Sequence, residues 1–132
     1  MSQSSKLVKK LLIYGTLLFL SLPVHSETFK LLKITEGLDS PWSITFIDKS
    51  RVLITEKAGK IILLGLGDSL KQTIPNNLSV LEDGQGGLLD ILYKNGKVYV
   101  SYSEDRGAGK SSTSIAIARF DYKGLNFRTI FR

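Results

Sequence analysis

Residues 82–90 read Glu-Asp-Gly-Gln-Gly-Gly-Leu-Leu-Asp. The stretch joins a loop that must turn sharply to a strand that is expected to be buried. Its three glycines, Gly84, Gly86 and Gly87, permit positive φ and let another backbone or a flat ligand approach closely. Gln85 lies between them and offers both a donor and an acceptor, with no neighbouring side chain to screen it. Gln85 is therefore the candidate ligand-facing residue of the chain.

The sequence on both sides of this stretch predicts short strands joined by tight turns. Apolar segments rich in Ile, Val, Thr and Phe alternate with clusters of Gly, Asp, Asn and Pro. Trp42 and the aromatic residues of the strands are expected in the core. The fold class is therefore all-β, with predicted strands over residues 29–34, 42–47, 51–55, 60–64, 71–74, 88–93, 97–102, 113–121 and 127–131.

The strands after the glycine-rich stretch repeat those before it. Trp42 and Leu88 are 46 positions apart, and so are Arg51 and Lys97. The later strands keep the same order, with an offset lengthened by a predicted loop over residues 104–112. A four-strand unit recurring every ~40–50 residues is typical of β-propeller blades.

The repeat predicts about two blades and one leading strand, 29–34. Propellers close with about four to eight blades, and stacked units need neighbours to cover their faces. Residues 27–132 are therefore expected to be the N-terminal part of a larger propeller domain, which is incomplete in this chain. Open blades would also leave strand edges and apolar faces in contact with water.

The N-terminus has the parts of a secretory signal peptide. Lys6, Lys9 and Lys10 precede an apolar run over residues 11–22, and Pro-Val-His-Ser follows. This order predicts that residues 1–26 are removed on export. A membrane anchor is the alternative, but the run is well short of the roughly 20 residues that span a bilayer. The mature chain is expected to be periplasmic or secreted, with no stable membrane anchor.

Composition excludes several kinds of site in the mature chain. Of 18 Lys and Arg, three precede residue 26, whereas all 12 Asp and Glu follow it, which leaves a net charge of +3. These charges are scattered, so the pattern does not favour a nucleic-acid partner. The only histidine is His25, and the chain has no cysteine. Disulfides, zinc sites and Ser-His-Asp arrangements are therefore excluded after residue 26.

Two glycine-containing segments resemble nucleotide-binding motifs but do not match them. Residues 107–112 end in Gly-Lys-Ser-Ser, yet Glu104 stands where a phosphate-binding loop needs glycine, and the next residues alternate like a strand. A hairpin loop is predicted there. Residues 84–87 precede a strand rather than follow one, so the alternative to a ligand-facing role is a tight connection between blades. Glu82 and Asp83 lack calcium-loop spacing and are expected to be solvated, so no metal ligand is assigned.

Five segments resemble the beginning of the glucose/sorbosone dehydrogenase family, the PQQ-dependent aldose sugar dehydrogenases. Their order and spacing agree over nearly the whole mature chain, and Gly-Gln-Gly-Gly-Leu-Leu-Asp is the most specific of them. The five segments are residues 37–42, 53–60, 84–90, 98–103 and 127–132.

The resemblance implies a six-bladed propeller that binds pyrroloquinoline quinone (PQQ) and calcium and oxidises the anomeric hydroxyl of aldose sugars. It places Gln85 at the mouth of the cofactor cavity, facing the sugar. The family's catalytic histidine, the basic groups that hold the quinone carboxylates and the calcium ligands have no counterpart in this chain. No catalytic residue is therefore assigned, and the fragment alone is expected to be inactive.

A second hypothesis stays open, because a propeller fold does not settle function. It is a secreted, non-catalytic β-propeller that binds carbohydrate or protein. A histidine and a basic cluster in further blades would favour the dehydrogenase.

Overall fold

The computed structural model describes residues 28–132, and all regular structure in that part is β-strand. The predicted signal peptide over residues 1–26 lies outside the described residues. Within residues 28–132 there is no helix long and apolar enough to cross a bilayer.

Eight strands form two antiparallel sheets, each with its strands in chain order. Sheet 1 contains β1 (Pro41–Phe46), β2 (Arg51–Glu56), β3 (Ile61–Gly65) and β4 (Lys71–Ile74). Sheet 2 contains β5 (Leu88–Lys94), β6 (Lys97–Gly107), β7 (Lys110–Arg119) and β8 (Arg128–Phe131). This all-β arrangement of two four-stranded units confirms the repeat that the sequence predicts.

The register confirms an offset of 46 for the second strands, because Val52 pairs with Leu64 as Val98 pairs with Ala118. The first strands are offset by 47 instead. Phe46 pairs with Val52, whereas Tyr93 pairs with Val98, so the turn is one residue shorter in sheet 2. Asn95 and Gly96 form that turn with φ of 51° and 72°, the left-handed pair that two-residue hairpins favour.

The larger of two buried apolar clusters lies between the two sheets, and the smaller lies on sheet 1 alone. We call the side of sheet 1 that carries Leu53 and Leu63 its forward face, and the opposite side its rear face. The forward face of sheet 1 packs on the rear face of sheet 2, which carries Ile91, Val98 and Val100. All five side chains are buried, and their removal from water stabilises the pair of sheets.

Polar contacts also join β1 and β2 to β5. The backbone N–H of Tyr93 donates to Thr45 Oγ1 at 3.0 Å. The hydroxyl of buried Thr55 donates to the Leu89 carbonyl at 2.7 Å. Two buried hydroxyl groups thus satisfy main-chain polar groups of the neighbouring sheet.

The predicted loop over residues 104–112 is wrong. β6 and β7 continue through it, pairing Glu104 with Ser112, and the hairpin ends in a turn at Ala108 and Gly109. The polar residues of this segment conceal the strand pattern, because both faces of the extension carry hydrophilic side chains. The predicted hairpin is present, but its turn is much shorter.

Two further expectations are corrected. Residues 29–34 form no strand, and Leu31 is 99% exposed; apolar composition alone does not make a strand where no neighbouring strand in residues 28–132 pairs with it. Trp42 is 49% exposed rather than buried, and the strand aromatics Phe46 and Phe131 are 60% and 61% exposed. Trp42 lies on edge strand β1 against Ile44 and Ile54, whose shared face is turned away from sheet 2.

Candidate functional site

The glycine-rich stretch is anchored to sheet 1 by Lys57, in the turn between β2 and β3. The backbone N–H of Leu88 donates to the Lys57 carbonyl at 2.8 Å. The Lys57 ammonium donates to the Gly84 carbonyl at 2.5 Å. One residue of sheet 1 therefore holds the loop both at its tip and where it enters β5.

Gly87 is required where the chain passes Lys57. A Cβ at Gly87 would lie 2.5 Å from Lys57 Cγ and 2.6 Å from the Lys57 carbonyl oxygen. Both separations are shorter than any tolerable contact, and one of them is to backbone. The close approach that the glycines predict is confirmed here, and its partner is protein backbone.

Ser103 holds the same stretch from sheet 2. Its backbone N–H donates to the Gly87 carbonyl at 2.9 Å, and its carbonyl accepts from the backbone N–H of Leu81 at 2.9 Å. Its hydroxyl accepts from the Gly87 N–H at 3.2 Å. A serine in the middle of a strand gives no sequence signal for this role, so sequence analysis did not single it out.

Gln85 lies at the exposed tip of the loop, where it lines an open cleft of about 330 Å³. The extended part of β7, residues 111–113, forms a second wall of the cleft, and Ser103 also lines it. Leu81 and Leu89 add apolar surface, and Asp83 adds one carboxylate. The β7 wall was missed because residues 104–112 were expected to form a loop.

An ionic network supports the β7 wall. Arg106 donates to the hydroxyls of Ser112 and Ser114 at 3.2 and 2.8 Å. The Ser114 hydroxyl donates to Glu104 at 2.7 Å, and the same carboxylate pairs with Arg106 at 3.3 Å and with Arg132 at 3.1 Å. Partly buried charge pairs with several hydrogen bonds restrict side-chain geometry more than isolated surface pairs do. The network therefore fixes Ser112 in the cleft wall.

The donor set of the cleft fits a neutral polyhydroxyl ligand. One amide and several hydroxyls can each donate and accept, as sugar hydroxyls require, and the leucines can contact the C–H face of a ring. Pyrroloquinoline quinone carries carboxylates, but the cleft is lined by Asp83 and by no Lys or Arg. These residues therefore do not fit the quinone.

The described residues also give no fit for calcium. Glu82 and Asp83 are exposed, and residues 28–132 contain no group of three or more Asp, Glu, His or Cys that could hold a metal ion. Calcium prefers six to eight oxygen ligands, roughly, so this adjacent pair is an incomplete donor set.

Comparison with known proteins assigns the family. The model of the family described as "Glucose / Sorbosone dehydrogenase" matches residues 38–132. Aldose sugar dehydrogenase YliI of Escherichia coli strain K12 is 32% identical over 108 residues, which cover 75% of this chain and 29% of that protein.

Two solved structures are also similar to this chain. A crystal structure of a glucose dehydrogenase is 32% identical, with a TM-score of 0.71 over 76% of this chain and 32% of that one. A PQQ-bound aldose sugar dehydrogenase from Streptomyces coelicolor is 21% identical and shares the fold, with a TM-score of 0.68 over 77% of this chain and 33% of that one.

The chain thus spans about a third of the length of the relatives it matches. Its two sheets are β-propeller blades, as the repeat predicts. The match over residues 38–132 is continuous from the segment before β1 to the last strand. This chain belongs to the glucose/sorbosone dehydrogenase family.

Proposed function

We propose that residues 27–132 form the first two blades of an exported, quinone-dependent aldose dehydrogenase, with Gln85 facing the sugar. The observation that carries the proposal is the position of Gln85. It is exposed at the rim of a hydroxyl-lined cleft, on a loop that Lys57 and Ser103 hold from both sheets. The family match supports the reaction class.

In this proposal the chain binds and orients the sugar. The Gln85 amide can donate to one sugar hydroxyl and accept from another, while Ser111 and Ser112 contact hydroxyls on the far side. Oxidation at C1 needs a base that takes the hydroxyl proton as hydride leaves. An amide cannot serve as that base, so Gln85 positions the substrate and does not carry the chemistry.

We expect no sugar oxidation by the chain alone. The expected base is a histidine, and the sequence has none after residue 26. PQQ and calcium remain expected cofactors of the complete enzyme, but the cleft residues do not fit either group. The purified chain, given PQQ, calcium, an aldose and a dye acceptor, should show no turnover above buffer. Cofactor-dependent dye reduction by the chain would contradict the proposal.

A chimera tests the role of Gln85. Residues 38–132 would replace the matching segment of the Escherichia coli aldose sugar dehydrogenase, whose sequence is 32% identical. In an active chimera, Gln85→Ala should lower kcat/KM for aldoses by about tenfold, the loss of roughly 1.4 kcal/mol of transition-state binding. The fold should stay intact, because the substitution removes no buried volume.

The matched control in the chimera is Asn126→Ala, an exposed amide in the loop before β8 and outside the cleft. Unchanged kinetics in both variants would indicate that Gln85 is only part of a structural connection between the blades. A folded chimera that binds sugar without turnover would favour the alternative, a secreted non-catalytic propeller. The hydroxyl-rich cleft is the observation that keeps this alternative.

Export is the remaining part of the proposal. We expect the signal peptide over residues 1–26 to be cleaved, so that N-terminal sequencing of the exported protein begins at Glu27. Recovery of soluble protein that still begins at Met1 would contradict it.

A further inference from the structure

Gln85 is carried by a tight β-turn of residues 83–86. The backbone N–H of Gly86 donates to the Asp83 carbonyl at 2.6 Å and closes the turn. Gly84, at the first central position, has a φ of 52°, whereas the φ of Gln85 at the second is negative. A positive φ at the first central position alone is the type II′ pattern. The Gly84 carbonyl therefore belongs to the central peptide of a type II′ turn.

The orientation of this central peptide decides the backbone conformation of Gln85. If the peptide turned over, the type II′ turn would become type I′, which needs a positive φ at both central positions. The Gln85 side chain would then leave the backbone in a different direction. In the structure that side chain lines the cleft. The presentation of Gln85 to the cleft thus depends on which way the Gly84 carbonyl points.

One side chain from outside the glycine-rich stretch holds that carbonyl. The Lys57 ammonium donates to it at 2.5 Å, and no other hydrogen bond among residues 28–132 reaches residues 84–86 from outside the stretch 82–90. Hydrogen bonds with a charged donor are stronger than neutral ones. Turning the central peptide over would move its carbonyl away from the ammonium and break this bond. Lys57 therefore favours the orientation that presents Gln85 to the cleft.

Lys57 is itself well anchored. Its backbone N–H donates to the Ser40 carbonyl at 3.1 Å, and its own carbonyl accepts from the Leu88 N–H at 2.8 Å. The side chain is half-buried, and its stem passes so close to Gly87 that a Cβ there would lie 2.5 Å from Lys57 Cγ. A long side chain held in this way loses less conformational entropy when its ammonium is ordered than a free surface lysine does.

We propose that Lys57 is a positioning residue, which fixes the turn of residues 83–86 and thereby the direction of the Gln85 side chain. Lys57 is not among the residues that line the cleft, so it acts on a ligand through Gln85 and not by contact. The effect on sugar rests on the proposed function, whereas the effect on the turn does not.

The first test measures the turn in the absence of sugar. Lys57→Met removes the ammonium but keeps an unbranched stem of nearly the same length beside Gly87. Lys49→Met, in the turn between β1 and β2, is the matched control. Nitrogen-15 NMR of the labelled chain should show shifted and exchange-broadened backbone amides of Gln85 and Gly86 in Lys57→Met and not in the control. Lys57→Arg supplies another charged donor and should keep the spectrum of the unmodified turn.

The second test measures the coupling between Lys57 and Gln85 in the chimera with the Escherichia coli enzyme. Lys57→Met should lower kcat/KM for aldoses by about fivefold, the equivalent of one net hydrogen bond, roughly. In a Gln85→Ala background the same substitution should change kcat/KM by less than about 1.5-fold, because the residue through which Lys57 acts is gone. Lys57→Arg should keep most of the activity. If the chimera binds sugar without turnover, the same cycle is measured in the dissociation constant.

The double-mutant cycle separates positioning from a merely structural role, since a residue that only stabilises the fold acts equally in both backgrounds. Unchanged amide signals of residues 84–86 in Lys57→Met would overturn the inference, and so would a kinetic effect that persists in Gln85→Ala. An effect of Gln85→Ala without one of Lys57→Met would overturn the inference and leave the proposed function standing. No effect of Gln85→Ala would overturn the proposed function, and the role of Lys57 in sugar binding with it.

Discussion

Sheets 1 and 2 share one strand order and nearly one register, yet they differ at the end where the cleft forms. β2 and β3 have six and five residues, whereas β6 and β7 have 11 and 10. The glycine-rich loop also enters only sheet 2. The positions that repeat pack the sheets together, and the positions that depart from the repeat line the cleft around Gln85.

The sequence of this chain is therefore constrained in two ways, at the repeated positions and at the positions that depart from the repeat. Repeated apolar positions such as Leu53 and Val98 need only the right size and face. The departures need particular residues, because Gly87 must leave room for Lys57 and Ser103 must satisfy three polar groups. Substitutions in the two classes should differ in their effect on stability and on ligand contact.

The largest loss of stability is expected from substitutions in the apolar packing between sheets 1 and 2. Leu53→Ala removes a fully buried side chain between the sheets and should lower the free energy of unfolding by about 2–5 kcal/mol. Leu92→Ala, at an exposed position of sheet 2, is the control and should change it by less than about 0.5 kcal/mol. Urea unfolding followed by circular dichroism measures both. Equal losses would contradict the assignment of the core to the forward face of sheet 1.

Gly87→Ala should come next, with a loss of about 2–3 kcal/mol. Its Cβ would overlap the Lys57 carbonyl and displace the hydrogen bond from Leu88. Gly67→Ala is the matched control, since an added Cβ there meets nothing within 4 Å. Comparable unfolding midpoints for the two variants would show that the close approach at Gly87 is not required.

A smaller effect is expected from Asn77, which joins the ends of the two sheets. Its amide accepts from the Phe127 N–H at 2.6 Å and donates to the Phe127 carbonyl at 3.1 Å. Asn77→Ala should cost about 1 kcal/mol, the typical net contribution of a hydrogen bond from a side chain that is itself exposed. Asn77→Asp keeps the acceptor but sets a carboxylate oxygen against the Phe127 carbonyl, so it should lose at least as much as the alanine variant. Full stability of the alanine variant would contradict this account of the contact.

The smallest effect is expected at the turn between β1 and β2. The backbone N–H and the hydroxyl of Ser50 donate to the Asp48 carboxylate and lower its pKa below 3.8. A carboxyl whose pKa is lower in the folded state stabilises the fold above its unfolded pKa, and that stabilisation is lost as the pH falls through the folded pKa. The difference in unfolding midpoint between the unmodified chain and Asp48→Ala should therefore be constant at neutral pH and shrink as the pH falls below about 4. A difference that grows on acidification would contradict it.

Sequence analysis predicted the repeated part of the fold well. Seven of the predicted strands start within two residues of the observed ones, because alternation and turn residues such as Asn95 and Gly96 act locally. The β6–β7 extension was missed, since its serines, threonine and charged residues resemble a loop until Glu104 and Arg106 of β6 are seen to hydrogen-bond to Ser114 of β7.

The candidate site was predicted only in part for the same reason: local sequence signals can be interpreted, whereas contacts between distant strands cannot. Gln85 was singled out because its neighbours lack side chains, and the structure places it in a cleft, although its ligand remains a prediction. Ser103 and the β7 wall come from distant parts of the sequence, and their meeting depends on register. Trp42 was expected in the core because large aromatic residues usually are, but an edge strand leaves its rear face open.

The central claim is that the departures from the repeat form one sugar-binding cleft. Its most direct test is a nitrogen-15 NMR titration of the isotopically labelled chain with an aldose, with Gln85→Ala titrated in parallel. We predict saturable shifts confined to the loop and the facing wall, led by the Gln85 side-chain amide and the backbone amides of Gly86, Ser103 and Ser112, and much weaker shifts in the variant. Saturable shifts elsewhere, equal shifts in Gln85→Ala, or no shift up to the solubility limit of the sugar would contradict the claim.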